Sequence, residues 1–310
     1  MPPARGEIKI LEEIRRRAAL PRGRGLVLGI GDDCAIYRPR GSPEDLLFTT
    51  DLLLEDVHFR RATHPPEAVG HKALARGLSD IAAMGGVPRF CLLSLAVDER
   101  TGQAWMQRFY NGLLRLSRKA GVSLAGGDLA RADKIACDIV VCGAVPRDRA
   151  LRRDGARAGD AIYVSGRLGG SALGLAAGKG AAWARHLRPE PRLTLGVLLR
   201  ERAGASAAMD LSDGLSMDLH RLALASGLEA RIEPPPRFPG ASLEQALDGG
   251  EDYELLFTVR PSVRIPPRLG GVALTRIGCL RKGRAGAVYL SDHPLPALGY
   301  DHFRGHIKKP

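Results

Sequence analysis

The stretch Gly29-Ile30-Gly31-Asp32-Asp33-Cys34-Ala35 begins like a nucleotide-binding turn and then departs from one. A dinucleotide fingerprint needs a third glycine and a helix N-terminus open to pyrophosphate. Here two carboxylates follow, which would repel a bare pyrophosphate, so a Rossmann site is excluded. Acidic residues at small-residue turns recur along the chain: Asp51 in Thr49-Thr50-Asp51, Asp80 in Leu78-Ser79-Asp80, Asp128 in Gly126-Gly127-Asp128, and Asp210 with Asp213 in Met209-Asp210-Leu211-Ser212-Asp213-Gly214. Any one of these is ordinarily an N-cap or a turn former. Several carboxylates brought together by a fold repel one another unless a cation neutralises them, and such hard oxygen ligands suit Mg²⁺. Magnesium in turn implies a phosphorylated substrate, because it commonly shares its coordination sphere with phosphate oxygens. Gly127 and Gly169-Gly170 would let backbone N–H groups approach those phosphates.

Outward from these turns, the pattern mixes strands and helices. Ile8, Leu11 and Ile14 predict an amphipathic surface helix, ended by a turn at Pro21-Arg22-Gly23. Leu46 to Thr49 predicts a buried strand with Asp51 at its exit. Glu67 to Met84 predicts a helix stopped by Gly85-Gly86, with Asp80 on its last turns, and Trp105 to Ala120 a second helix. Val122 to Ala125 predicts a strand broken by Gly126-Gly127-Asp128, and Ile135 to Val145 another strand. The Arg-, Asp- and Gly-rich segment Pro146 to Gly159 has no apolar periodicity and predicts the domain boundary. Beyond it, strands are expected at Ala161–Val164, Ala207–Leu211, Leu228–Ile232 and Glu254–Val259, and helices at Gly169–Ala177 and Asp218–Ser226. The expected fold class is therefore α/β in the α+β sense, with two domains, each a mixed or antiparallel sheet packed with helices. Residues 1–147 would form the N-terminal domain and residues 148–310 the C-terminal domain.

Composition removes several alternatives. The 310 residues are 45% hydrophobic and 26% charged, with none of the depletion that marks disorder. Lys+Arg 46 against Asp+Glu 34 gives a net charge of +12, which invites a polyanion. The basic residues are spread out, however, and aromatics at 5% are thin for base stacking, so no nucleic-acid partner is expected. Cys34, Cys91, Cys137, Cys142 and Cys279 form no C-x-x-C pair. No apolar run approaches the roughly 20 residues of a membrane span, and the amino end lacks a signal-like apolar centre; the expected address is the cytoplasm, with no membrane partner. Gly174-Leu175-Ala176-Ala177-Gly178-Lys179-Gly180 is one spacer short of a P-loop and lacks its Ser or Thr, and no G-x-S-x-G elbow is present.

Taken together, these segments resemble the thiamine-monophosphate kinase family, within the superfamily typified by aminoimidazole ribonucleotide synthetase. The resemblance runs almost end to end. It is carried by Gly29 to Ala35, Thr49-Thr50-Asp51 with His58-Phe59, Lys72-Ala73-Leu74-Ala75, Leu78 to Gly85, Gly126-Gly127-Asp128 and Asp210 to Leu215. Gly249-Gly250-Glu251-Asp252-Tyr253-Glu254-Leu255 and the closing Gly299-Tyr300-Asp301-His302-Phe303 separate this family from relatives such as aminoimidazole ribonucleotide and selenophosphate synthetases. The resemblance implies ATP-dependent phosphorylation of thiamine monophosphate to thiamine diphosphate, in a homodimer formed through the first domains. It further implies that Asp33, Thr49, Thr50, Asp51, Asp80, Asp128, Asp210 and Asp213 hold several Mg²⁺ ions, with Asp33, Asp210 and Asp213 central to catalysis. By the same resemblance, Gly127, Asp128, Arg153 and Ser212 contact ATP with Tyr110 beside it, and His58, Glu251 and Phe303 contact the acceptor. This sequence departs from the family at Gly77, where Asn usually precedes Leu-Ser-Asp, and at Leu129, where Thr commonly follows Gly-Gly-Asp.

Overall fold

A computed structural model describes residues 6–18 and 25–303; the turn expected at Pro21–Gly23 lies outside the described residues. The amino-terminal half places helices α1 (Glu7–Arg17), α2 (Pro66–Ala83) and α3 (Gln103–Ala120) with strands β1 (Leu26–Leu28), β2 (Ala35–Tyr37), β3 (Glu44–Leu54), β4 (Val87–Val97), β5 (Ser123–Arg131) and β6 (Ala136–Pro146). These strands form one sheet in the order β1-β2-β3-β6-β4-β5, antiparallel except for the parallel β4–β5 pair. The carboxyl half builds a second sheet from β7 (Ala161–Ser165), β8 (Ala207–Asp210), β9 (Glu229–Ile232), β10 (Leu255–Val259), β11 (Arg268–Leu269), β12 (Val272–Arg281), β13 (Val288–Leu290) and β14 (His293–Pro294). Its order is β14-β13-β9-β12-β7-β10-β8, with β11 hanging on β12. Helices α4 (Gly170–Ala177), α5 (Gly180–Leu187), α6 (Leu193–Glu201), α7 (Leu215–Ala225) and α8 (Leu243–Asp248) accompany it.

Helix α2 is the hinge of the architecture. It starts with Pro66, whose missing N–H costs nothing at that position, and is buried nearly all round. Only small residues allow this. A Cβ on Gly70 would lie 2.0 Å from the Phe109 carbonyl oxygen of α3, and one on Gly196 of α6 would lie 2.0 Å from the Ala82 carbonyl oxygen. Ala82 and Ala83 consequently share a core with Leu195, Leu199, Leu255 and Phe257, so the two halves are joined by apolar packing around the end of α2. Gly77 belongs to the same series, since a Cβ there would meet Val141 of β6 at 2.6 Å. The helix lies too close to the sheet for the larger residue expected at that position.

Several sequence expectations are corrected. Asp51 is not at a strand exit: β3 continues through Leu52–Leu54, and Asp51 pairs with Ile139 within the sheet. Gly126-Gly127 do not break β5. The strand runs through them because they take φ values of 158° and 149°, and a side chain on Gly127 would strike the Leu93 carbonyl oxygen, 1.8 Å from its Cβ. Helix α7 begins at Leu215, ahead of the expected Asp218. Between Pro146 and Ala161 the chain carries a short 3-10 turn, Arg153–Gly155, and is tied back to the first half by the Leu151 N–H to the Met84 carbonyl at 3.1 Å.

Candidate active site

Three carboxylates from distant parts of the chain converge where the halves meet. Asp33 follows the glycine turn, Asp80 projects from the last turns of α2, and Asp210 ends β8. One oxygen from each lies within 4.8 Å of the others. The surroundings fix these groups by hydrogen bonds and, at Asp33, by an ion pair. Thr49 Oγ1 donates a short hydrogen bond to Asp80, and Ser79 Oγ donates to Asp210 Oδ2 at 2.7 Å. Arg153 pairs with Asp33 through Nη2, and its backbone N–H donates to Asp32 at 3.1 Å. Asp33 Oδ2 is buried with no partner. Burial first, then mutual repulsion, holds the Asp80 and Asp210 carboxyls well above the ordinary carboxylate range. Burial and the Asp33 charge push Asp32 up to about 7. An orphaned buried oxygen, a shared spacing and all-oxygen donors together fit a hard divalent cation.

The cluster opens into a cavity of about 430 Å³ whose wall includes Asp51, His58, Asp80, Asp210, Ser212, Asp213 and Glu251. Glu251 has a left-handed backbone, with φ 62°. Burial pushes its carboxyl up, but Lys72 and then His186 and Arg76 outweigh this and hold it at about 2, with Lys72 Nζ at 2.9 and 3.0 Å. His58 is held at about 3, by burial and then by Arg76, and is therefore neutral; its Nδ1 accepts the Leu54 N–H at 3.0 Å. Asp213 pairs with Arg221, and its carbonyl accepts the Tyr300 N–H at 2.9 Å, which brings the chain's tail to the cavity.

Other expected site residues lie elsewhere in the chain. Thr50 is exposed on the opposite face of β3, donating to Asp138 at 2.7 Å. Asp128 is exposed on β5, paired with Ser94, which pairs in turn with Asp138, and these residues form an outward row across the sheet; Gly127 pairs with Leu93 in the neighbouring row. Tyr110, on α3, packs at the rim of the first core, edge-on to Phe109 at 5.5 Å. Phe303 is half exposed, and Tyr300 and His302 line the cavity in its vicinity. Leu129 is also exposed. Sequence reasoning missed Arg76, Lys72 and Tyr253. The Arg76 guanidinium reaches across to Asp51 of β3, at 2.9 Å. Tyr253 stands in the same family-specific segment as Glu251, and its left-handed φ of 50° was the feature no composition could show.

The chain matches two family descriptions: AIR synthase related protein, N-terminal domain, over residues 31–145, and AIR synthase related protein, C-terminal domain, over residues 157–265. It is 38% identical over 304 residues to the thiamine-monophosphate kinase of Escherichia coli (strain K12), covering 89% of this chain and 92% of that protein. To the thiamine-monophosphate kinase of Bacillus subtilis (strain 168) it is 34% identical over 308 residues, covering 89% and 94%. The solved structure of AaThiL complexed with AMPPCP and TMP is similar over 96% of this chain and 97% of that one, at 34% identity and a TM-score of 0.85. With an acidic cluster at the junction of two sheets and this likeness over nearly its whole length, the chain belongs to the thiamine-monophosphate kinase family.

Proposed function

We propose that this enzyme transfers the terminal phosphoryl group of ATP to the phosphate of thiamine monophosphate, giving thiamine diphosphate and ADP. The observation that carries the reading is the convergence of Asp33, Asp80 and Asp210 beside a cavity whose wall also presents an anionic Glu251. The nucleophile is a phosphate oxygen, already anionic at neutral pH, so no general base is needed. The neutral His58 suits an orienting contact rather than proton abstraction. Glu251, fixed by Lys72, complements the positive charge of a thiazolium ring; Phe303 would cover the acceptor from the tail.

Asp33, Thr49, Asp51, Asp80, Asp210 and Asp213 would hold Mg²⁺, with Thr50 and Asp128 serving from the outward row. Magnesium bound there would neutralise the phosphates of both substrates and stabilise the charge that spreads over the transferred group. Gly127, Asp128, Arg153, Ser212 and Tyr110 are the proposed ATP contacts. In this assignment residues 1–147 bind nucleotide and metal and residues 148–310 complete the site. A coupled assay with ATP, Mg²⁺ and thiamine monophosphate tests the reading: turnover that disappears with EDTA is expected, and absence of turnover with this acceptor overturns it.

The outward row also bears on assembly. Leu52 and Leu92 are 49% and 37% exposed on the same face of the first sheet as Thr50, with Tyr37 of β2 40% exposed. Apolar surface of this kind marks an interaction face. We assign it to a homodimer with the nucleotide site near the junction. Sedimentation should give about twice the chain mass, and Leu52→Glu should give the monomer; a monomeric wild type, or a variant that stays dimeric, removes this face from the interface. Among the described residues no helix is long and apolar enough to cross a membrane. All five cysteines are free, in keeping with a proposed cytoplasmic seat where ATP is at hand.

A further inference from the structure

The cavity wall is acidic, yet its substrates are anions. Asp51, Asp80, Asp210, Asp213 and Glu251 line it, and Arg76 is the one Lys or Arg side chain among the lining residues. Arg76 rises from α2 one turn before Asp80. Its head is 14% exposed and lies close enough to Asp51, Glu251 and Asp80 to interact electrostatically with all three. It therefore stands near both Asp80 of the carboxylate cluster and Glu251, within reach of the phosphate of a molecule that contacts both.

A guanidinium offers five N–H donors. Arg76 spends one on Asp51 Oδ1 at 2.9 Å and one on the Leu52 carbonyl at 3.3 Å, while Nε has no partner. Those two bonds anchor the head against β3 and leave donors over. The head is then a preorganised cation, with one N–H left over on each Nη, in the wall of a cavity that otherwise repels phosphate. Gly77 beside it lets α2 lie against Val141, which sets how close the Arg76 head comes to β3.

We infer that Arg76 grips the phosphate of the acceptor, and so selects a phosphorylated acceptor over the corresponding alcohol. This inference rests on the proposed function, and it assigns Arg76 to acceptor binding rather than to ATP. Guanidinium–phosphate contacts are charge-assisted and directional, so their loss should fall on the ligand that carries that phosphate.

The test compares wild type, Arg76→Gln and Arg76→Lys, each checked for an unchanged melting transition. Kinetics are measured with ATP, and calorimetry with thiamine monophosphate and with thiamine, which lacks the phosphate. Arg76→Gln should raise KM for thiamine monophosphate about tenfold or more, equivalent to about 1.4 kcal/mol, while KM for ATP moves less than about twofold. Thiamine affinity should hold, so that discrimination between the two ligands collapses; Arg76→Lys should restore part of it. Should Arg76→Gln fail to fold, the same split in Arg76→Lys decides. If thiamine and thiamine monophosphate weaken together, or if only the Mg²⁺ requirement rises, Arg76 merely holds Asp51 and the inference falls. Wild-type protein inert toward thiamine monophosphate brings down the proposed function, and this inference with it.

Discussion

Asp210→Asn is expected to lower kcat by about a thousandfold or more while the protein stays folded. Asp210 is 2% exposed, and its carboxylate faces Asp33 and Asp80 at ligand spacing. Asn keeps the shape and can still accept the Ser79 hydroxyl, so packing is preserved. What disappears is a negative charge that would hold a metal against the transferring group, a contribution worth several kcal/mol in a phosphoryl transfer, and each 1.36 kcal/mol is tenfold in rate. The same change relieves repulsion among buried carboxylates, so the metal-free variant should melt no lower than wild type. Steady-state kinetics with Mg²⁺ titration and a parallel melt check both halves. Turnover within tenfold of wild type would remove Asp210 from the reacting centre, and a large drop in melting temperature would make the loss a folding defect.

The sequence carried the parts of this site more clearly than their arrangement. Apolar runs predicted most of the long elements, because a strand such as β6 or a helix such as α3 is written in consecutive or periodic buried residues. Asp33, Asp80 and Asp210 were legible as a set by their repeated small-residue turns. Their partners were not. Lys72 is 1% exposed and bonded to Glu251, 179 residues away, and nothing local in Lys72-Ala73-Leu74-Ala75 distinguishes a buried lysine from a solvated one. Helices α5 and α6 escaped notice because they are short, α5 coming directly after Gly178-Lys179 and α6 after Arg188-Pro189-Glu190-Pro191-Arg192, so their stability comes from tertiary contacts. Glycine read as a stop at 126–127, whereas there it permits the close approach of β5 to β4. Thr49 and Thr50 could not be separated by sequence alone, and the alternation of β3 sends one to the cluster and the other to the outward face.

Metal-free protein should lose stability as pH rises from about 6.5 to 8.5, and Mg²⁺ should flatten the trend. In the folded chain burial raises Asp80 and Asp210 well above the carboxylate range, and burial with the Asp213 charge raises Asp218 to about 7, as burial with Asp33 does for Asp32. In the unfolded chain these groups titrate near pH 4. The folded state therefore binds more protons than the unfolded one, its advantage is complete below about pH 4, and it is lost as pH climbs through the raised values. Histidines oppose this at lower pH. Burial lowers His58 to about 3 and His64 and His186 to about 4, so they add stability as pH rises through the unfolded value near 6.5 and contribute no slope beyond it. Raised cysteines such as Cys137, at about 12, matter only above about pH 8.5. Within that window the carboxylates govern. Magnesium competes with protons for the same oxygens, so its affinity rises with pH. At a hundredfold excess over its dissociation constant a cation bound only by the folded state adds about 2.7 kcal/mol. Thermal melts at pH 6.5, 7.5 and 8.5, in EDTA and in Mg²⁺, should show a falling series in the first and a flattened one in the second. Asp210→Asn should make the EDTA series less steep, since one of the raised carboxyls is gone. A metal-free melting temperature that climbs across this range, or a magnesium shift equal at every pH, would mean that these carboxylates are not the coupled, cation-seeking group the geometry describes.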